Sequence, residues 1–207
     1  MFIQGPAGQI EAKLIEKSPR QFAVICHPHP LYGGTMNNKV VTTVEKALSQ
    51  QNVTTIRFNF RGIGKSDGQY GHAQGEIEDA LAVILWMKGR YPQAKMLLAG
   101  FSFGSYIALK AAAQLSADYL ITIAPPVARF DYTQTAFPDK PWLIIQGDND
   151  EVVAAEEVYA WANNLPPSVT LMRMAEASHF FHGRLLELQQ SISRWYLDSN
   201  VIENDSQ

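Results

Sequence analysis

Six short apolar runs punctuate the chain: FAVIC (22–26), VTTIRFNF (53–60), KMLLAG (95–100), YLITIA (119–124), PWLIIQG (141–147) and VTLMRM (169–174). Each is continuously apolar rather than alternating, which is how a strand reads when both faces of its sheet are covered, as in a parallel α/β sheet. The stretches between them have the other period. They predict helices at roughly 35–50, 75–90, 103–115, 154–164 and 183–197. In the second, Ile77, Ala80, Leu81, Ile84 and Leu85 repeat at the spacing of a helix lying on a sheet. Strand and helix thus alternate, the pattern of a doubly wound α/β fold with helices on both faces. Ahead of it, IQGPAGQIEAKLI sets Gly5-Pro6-Ala7-Gly8 between two strand-like pieces. That predicts an antiparallel hairpin at one edge, and about eight strands in all.

A chain of 207 residues suffices for one domain with a substantial core, and no linker, repeat or low-complexity stretch divides it. We expect a single domain over 1–200 and a flexible tail over 201–207. With 17 basic against 20 acidic residues and a formal charge of −3, and with no run of lysines or arginines, nucleic acid is not an expected partner. The first residues lack a basic and an apolar leader region, and nowhere do about 18 apolar residues run together, so neither export nor a membrane span is expected and a cytoplasmic protein is the default. The one cysteine, Cys26, has no partner in the chain for a disulfide.

The chemistry centres on Gly100-Phe101-Ser102-Phe103-Gly104, a G-x-S-x-G directly behind the strand KMLLA and directly before the helix FGSYIALKAAAQL. A chain that reverses within so few residues strains the serine and leaves no room for side chains two positions either side, which is the geometry of a nucleophile elbow. A serine hydroxyl is a weak nucleophile at neutral pH; it needs a base, and the base needs a group that fixes its tautomer. After Ser102 come Gly147-Asp148-Asn149-Asp150-Glu151-Val152-Val153 and then Ala177-Ser178-His179-Phe180-Phe181-His182-Gly183, each behind a predicted strand. These loops supply the acid from Asp148, Asp150 or Glu151 and the base from His179 or His182.

With these features the chain resembles the α/β-hydrolase superfamily along nearly its whole length. FRGIGKSDG (60–68) is similar to the R-G-x-G-x-S-x-G loop of that superfamily, and GDNDEVV to its G-x-x-D-x-x-V acid loop. HPHPLYGGTMNNKVV looks like a group of small bacterial hydrolases near the dienelactone hydrolases, which themselves carry cysteine where this chain has Ser102. The resemblance implies Ser102 as nucleophile, Asp150, three residues after Gly147, as the orienting acid, and His179 as general base and then general acid.

CHPHPLYGG (26–34) then falls in the loop where this fold keeps the second oxyanion-hole amide, the first being that of Phe103. Pro28 and Pro30 have no N–H. The superfamily's common His-Gly, set on His27-Pro28, points to the amide of His29, with Leu31 as the runner-up. Cys26, His27 and His29 are of metal-ligand type, but no second cluster completes a site, so no metal and no cofactor are expected. Cys26 reads as a small buried residue at a strand end.

The connection PPVARFDYTQTAFPDK (125–140) is too short for a cap domain, so the site is expected to be open. Tyr32, Phe101, Phe130 and Phe180 are expected to line an apolar acyl pocket, with Phe103, Tyr132 and Phe181 also near it. No dedicated carboxylate or phosphate clamp is evident; Arg129 and Arg61 are candidates, but an exposed arginine in a loop is usually just solvated. The expected function is a lidless serine hydrolase acting on carboxylic esters or thioesters of small to medium acyl groups, as a monomer or homodimer. Amide hydrolysis, perhydrolysis, or a pocket that binds without catalysing are the alternatives on the same fold.

Overall fold

The computed structural model describes residues 1–132 and 140–204. The elements are β1 (Phe2–Gly5), β2 (Gly8–Ile15), β3 (Ser18–Cys26), α1 (Lys39–Gln50), β4 (Val53–Phe58), α2 (Gln74–Arg90), β5 (Lys95–Phe101), α3 (Phe103–Leu115), β6 (Tyr119–Ile123), β7 (Trp142–Gly147), α4 (Ala155–Ala162), β8 (Val169–Met174) and α5 (Leu185–Asn204). The eight strands form one sheet in the order β1-β2-β4-β3-β5-β6-β7-β8. The N-terminal hairpin joins it antiparallel, β2 against β4, and every later pair is parallel. Among the described residues no cap domain is inserted, and no helix is long and apolar enough to cross a membrane.

Burial on both faces explains the unbroken apolar runs. In β3, Phe22, Val24 and Cys26 enter the core beneath α2 and α3, while Ala23 and Ile25 enter the one beneath α1 and α5. In β5, Met96 and Leu98 take the first side, and Leu97, Ala99 and Phe101 the second. Each of these two strands thus feeds two apolar layers, and a polar residue on either face would have to be satisfied internally.

Three boundaries differ from expectation, each for a local reason. α1 starts at Lys39 rather than near 35, because the Asn38 side chain accepts from the Val40 amide and caps the helix there; 35–38 close into a turn instead, the Asn38 N–H donating to the Thr35 carbonyl. β3 starts at Ser18, its polar SPRQ half joining the sheet through a register shift against β4 between Ser18 and Phe22. α5 continues to Asn204, so the helix takes in the first residues of the expected tail and 205–207 lie outside the described residues.

Two buried polar contacts hold the loop after β3. The Arg57 side chain of β4 donates to Glu45 of α1 at 2.8 Å, to the Met36 carbonyl at 2.8 Å and to the Asn37 amide oxygen at 2.6 Å. Both members of the ion pair are buried, so neither charge has water to fall back on. At the end of β3, the His27 ring is fully buried. Its Nδ1 lies 2.6 Å from the Pro28 carbonyl and its Nε2 accepts from the Phe60 amide at 3.1 Å. The first contact requires the proton on Nδ1 and the second a bare Nε2, so both ring nitrogens are satisfied only in the neutral form. Burial pushes the His27 pKa down to about 4, against the pull of the Pro28 carbonyl toward the cation.

Two outcomes are expected. Glu45→Ala leaves the Arg57 guanidinium buried without its carboxylate and lowers the unfolding free energy by about 3 kcal/mol in urea titrations; a loss within experimental error would refute the assigned role. For His27, the unfolded chain takes up a proton near pH 6.5 while the native state stays neutral down to about 4. The stabilising difference is therefore fully present above 6.5 and disappears as pH falls to 4, on the order of 3 kcal/mol in total. Urea titrations across that range, compared with His27→Gln, should show the acid-dependent slope in the parent and about one proton less of it in the variant.

Candidate functional site

The turn between β5 and α3 is set by two glycines that admit no side chain. A Cβ on Gly100 would fall on the backbone of Gly104, and one on Gly104 would fall on the carbonyl oxygens of Cys26 and His27. Pressed between them, Ser102 takes φ 52° and ψ −120°, a region that L residues rarely occupy. Its amide donates to the Ile123 carbonyl at 2.8 Å, and its carbonyl accepts from the Ser105 amide and hydroxyl at 2.9 and 2.6 Å. The strained backbone is thus pinned on both sides, and α3 starts immediately at Phe103, whose N–H has no acceptor inside the helix.

Asp150 follows β7. Its Oδ1 accepts from the amides of Val152 and Val153 at 2.8 and 2.7 Å, and its Oδ2 from Gln146 Nε2 at 3.1 Å and from the ring of His179, whose Nδ1 lies at 2.8 Å. Burial alone would raise the Asp150 pKa; the hydrogen bonds from His179 and the two amides outweigh it and hold the carboxyl below its ordinary value. An ionised carboxylate only accepts, so the shared proton resides on His179 Nδ1 and leaves Nε2 able to take another. His179 comes from the loop after β8, where Glu151 accepts from its backbone N–H at 3.1 Å. Phe101 lies under its ring, with centroids 4.9 Å apart.

The competing acids and base are placed elsewhere. Asp148 pairs with the Tyr159 hydroxyl and Arg173, Glu151 is taken up by the His179 amide, and His182 stands beyond Phe180 near the start of α5.

Ser102 and His179 open onto one cleft of about 440 Å³. Of the residues expected around it, Tyr32, Phe103, Phe130 and Phe180 do form its wall, together with His29. Phe101 does not: it belongs to the core beneath α1 and α5, because its neighbour Ser102 turns the chain over and puts Phe101 and the equally buried Phe103 on opposite faces of the sheet. Tyr132 and Phe181 are likewise core residues. Arg61 lies away from the cleft, held by the fully buried Asp79 at 2.8 Å and by Glu78.

Gly33, Gly34, Asn38, Pro126 and Val152 also line the cleft without having been singled out. For Gly34 the signal was the glycine pair itself, since a Cβ there would strike the Pro28 carbonyl. Asn38 was hidden by the expectation of a helix from 35.

Within HPHPLYGG, a short 3₁₀ turn spans Pro30–Tyr32, with His29 as its cap. The Leu31 N–H donates to His29 Nδ1 at 3.2 Å, and the Leu31 side chain points to solvent. The His29 N–H has no hydrogen-bond partner among the described residues. His29 Nε2 lies 3.3 Å from the Tyr70 hydroxyl, and the ring packs on Tyr32 and Phe103. Cys26 ends β3 in the core, where burial pushes its thiol pKa up.

Three kinds of comparison bear on the family. The family model of the alpha/beta hydrolase domain matches residues 23–195. An alpha-beta serine hydrolase homologue from Coxiella burnetii is 48% identical, with a TM-score of 0.89 over 94% of this chain and 95% of that one. A serine hydrolase without lid from Xanthomonas campestris is 41% identical, with a TM-score of 0.90 over 94% and 91%. An uncharacterized protein of Rickettsia prowazekii is 34% identical over 95% of this chain and 88% of its own length. On the sheet order, the elbow and these likenesses together, the chain belongs to the α/β-hydrolase superfamily.

Proposed function

We propose that the protein is a serine hydrolase that cleaves carboxylic esters or thioesters of small to medium acyl groups through an acyl-enzyme on Ser102. One observation carries the reading: an imidazole whose Nδ1 is committed to a buried, ionised carboxylate shares an apolar, open cleft with a serine on a strained elbow.

In this reading Ser102 Oγ attacks the acyl carbon while His179 Nε2 takes its proton. The carbonyl oxygen becomes an oxyanion and rests on the N–H of Phe103 and that of His29. The contact of the Leu31 N–H with His29 Nδ1 supports His29 as the second donor, since Leu31's own amide is already used. Each such donor contributes about 3 kcal/mol to the transition state. The tetrahedral species collapses, His179 gives its proton to the departing alcohol or thiol, and the acyl group stays on Ser102. Water, deprotonated by the same ring, then attacks the acyl-enzyme, and Ser102 regains its proton as the acid leaves. Asp150 stays ionised throughout and stabilises the imidazolium that each step creates.

Two substitutions test this. Ser102→Ala should lower kcat on p-nitrophenyl butyrate by a factor on the order of a million, and a fluorophosphonate probe should label Ser102 in the parent, as read by mass spectrometry of the modified peptide. A folded parent that resists the probe would show instead a pocket that binds without catalysing. Asp150→Asn should lower kcat by about 10⁴ with KM nearly unchanged. The reason is local: all four donors around the carboxyl group point inward, two to each oxygen, so an amide NH₂ must face two of them. Retention of a tenth of the activity would remove Asp150 from the mechanism.

A further inference from the structure

Arg129 lies in the loop after β6 and lines the cleft, where it is the only lysine, arginine, aspartate or glutamate among the described wall residues. Its Nη2 donates to the Val152 carbonyl at 3.0 Å, which fixes the guanidinium against the loop that carries Asp150. That contact uses one of five N–H donors. Arg57, Arg61, Arg90, Arg173 and Arg184 each have a carboxylate within 3.2 Å; Arg20, Arg129 and Arg194 have none among the described residues, and of these three only Arg129 lines the cleft. Its backbone N–H donates to the Pro126 carbonyl at 3.0 Å, and Pro126, Phe130 and Val152 line the cleft with it. Its charge is also felt inside the cleft, where it adds to burial, the larger cause, in holding the His29 imidazole below its ordinary pKa.

An exposed guanidinium held at one N–H, with donors that no described residue takes, on a wall with no other lysine, arginine or carboxylate, is half of a bidentate contact. We propose that Arg129 forms a subsite for an ionised carboxylate, so that the preferred substrates are esters or thioesters bearing a second, anionic group. This rests on the reading of Ser102 as nucleophile and names a substrate class for it. The whole chain carries a formal charge of −3 and its long-range field disfavours anions, so a preference for them has to come from a local cation.

The test compares kcat/KM on four esters for the parent, Arg129→Gln and Arg129→Lys. Mono-p-nitrophenyl glutarate against p-nitrophenyl butyrate puts the charge on the acyl side. The butyryl ester of 4-hydroxybenzoate against that of 4-hydroxybenzamide puts it on the leaving group. In at least one pair the parent's anionic-to-neutral ratio should fall about five- to tenfold in Arg129→Gln, mainly through KM, and recover in part in Arg129→Lys. Raising the salt from 0.05 to 0.5 M should narrow the parent's ratio and leave that of Arg129→Gln unchanged. Ratios that are the same in parent and Arg129→Gln for both pairs overturn the inference and leave the Ser102 mechanism standing. A folded parent that cleaves none of the four esters and is not labelled at Ser102 overturns both.

Discussion

The site depends on one close approach: the first turn of α3 packs against the end of β3 with nothing but glycine between them. Gly104 touches the carbonyls of Cys26 and His27, and Gly100 in turn touches Gly104. A helix held this near a neighbouring strand cannot be entered by an ordinary turn, and the residue at the corner absorbs the reversal. Ser102 does so, at a conformational cost of about 1–3 kcal/mol. The Ile123 carbonyl and the Ser105 hydroxyl hold it there from either side. The same approach sets the loop after β3 beside the helix N-terminus, so that His29 and Phe103 come to one cleft wall. Buried His27 locks the loop by bonding across to the Phe60 amide at the end of β4. Serine position and amide positions are thus consequences of a single packing distance.

Charge on the other side of the cleft is settled by a contest in which burial loses. A carboxyl group this deep would ordinarily become neutral. Asp150 remains ionised because each of its acceptor positions is filled: two backbone amides on one oxygen, Gln146 and His179 on the other. Gln146 ends a fully buried strand, and the two amides belong to the turn that follows it, so the acid is fixed by rigid elements on every side. The His179 loop is held less by packing than by matching: its backbone N–H meets Glu151 and its ring meets Asp150, two carboxylates one residue apart with separate tasks. That separation explains why a cluster of three acids within four residues yields one partner for the ring, since Asp148 turns outward to Tyr159 and Arg173.

The architecture was legible because two-sided burial writes itself as unbroken apolar runs, and a hairpin turn as Gly-Pro-Ala-Gly. The elbow was legible for a related reason, since glycine at two fixed offsets between a strand and a helix marks a reversal with no room for side chains. What failed to show was direction. Phe101 and Phe103 look equivalent in the sequence, yet the reversal at Ser102 sends Phe101 into the core beneath His179 and Phe103 into the opposite core, where it backs the cleft. Asn38 reads as one polar residue of a helix, and only its bond to the Val40 amide makes it the cap that leaves Gly33, Gly34 and Asn38 itself on the cleft wall. Arg61 and Arg129 are both arginines in loops, and their difference lies in tertiary partners: a buried Asp79 for the first, a carbonyl on the cleft for the second.

FRGIGKSDG shows how a stretch similar to a superfamily motif can serve the frame rather than the chemistry. Ser66 accepts from the Glu11 amide and donates to the Asn59 carbonyl, while Asp67 exchanges bonds with Gln9 through its side chain and its own N–H. Arg61 ties the same loop to α2. An antiparallel hairpin has no crossover helix to pin it to a parallel sheet, and this loop supplies the missing connection. From the loop the bonds continue to the site: Asn59 donates to Glu11 and accepts from the Met36 amide, so the segment that ends in Asn38 is braced by the hairpin edge. The hydrogen bonds that join β2 to the sheet therefore also position one wall of the cleft, and the edge of the fold and its site form one mechanical unit.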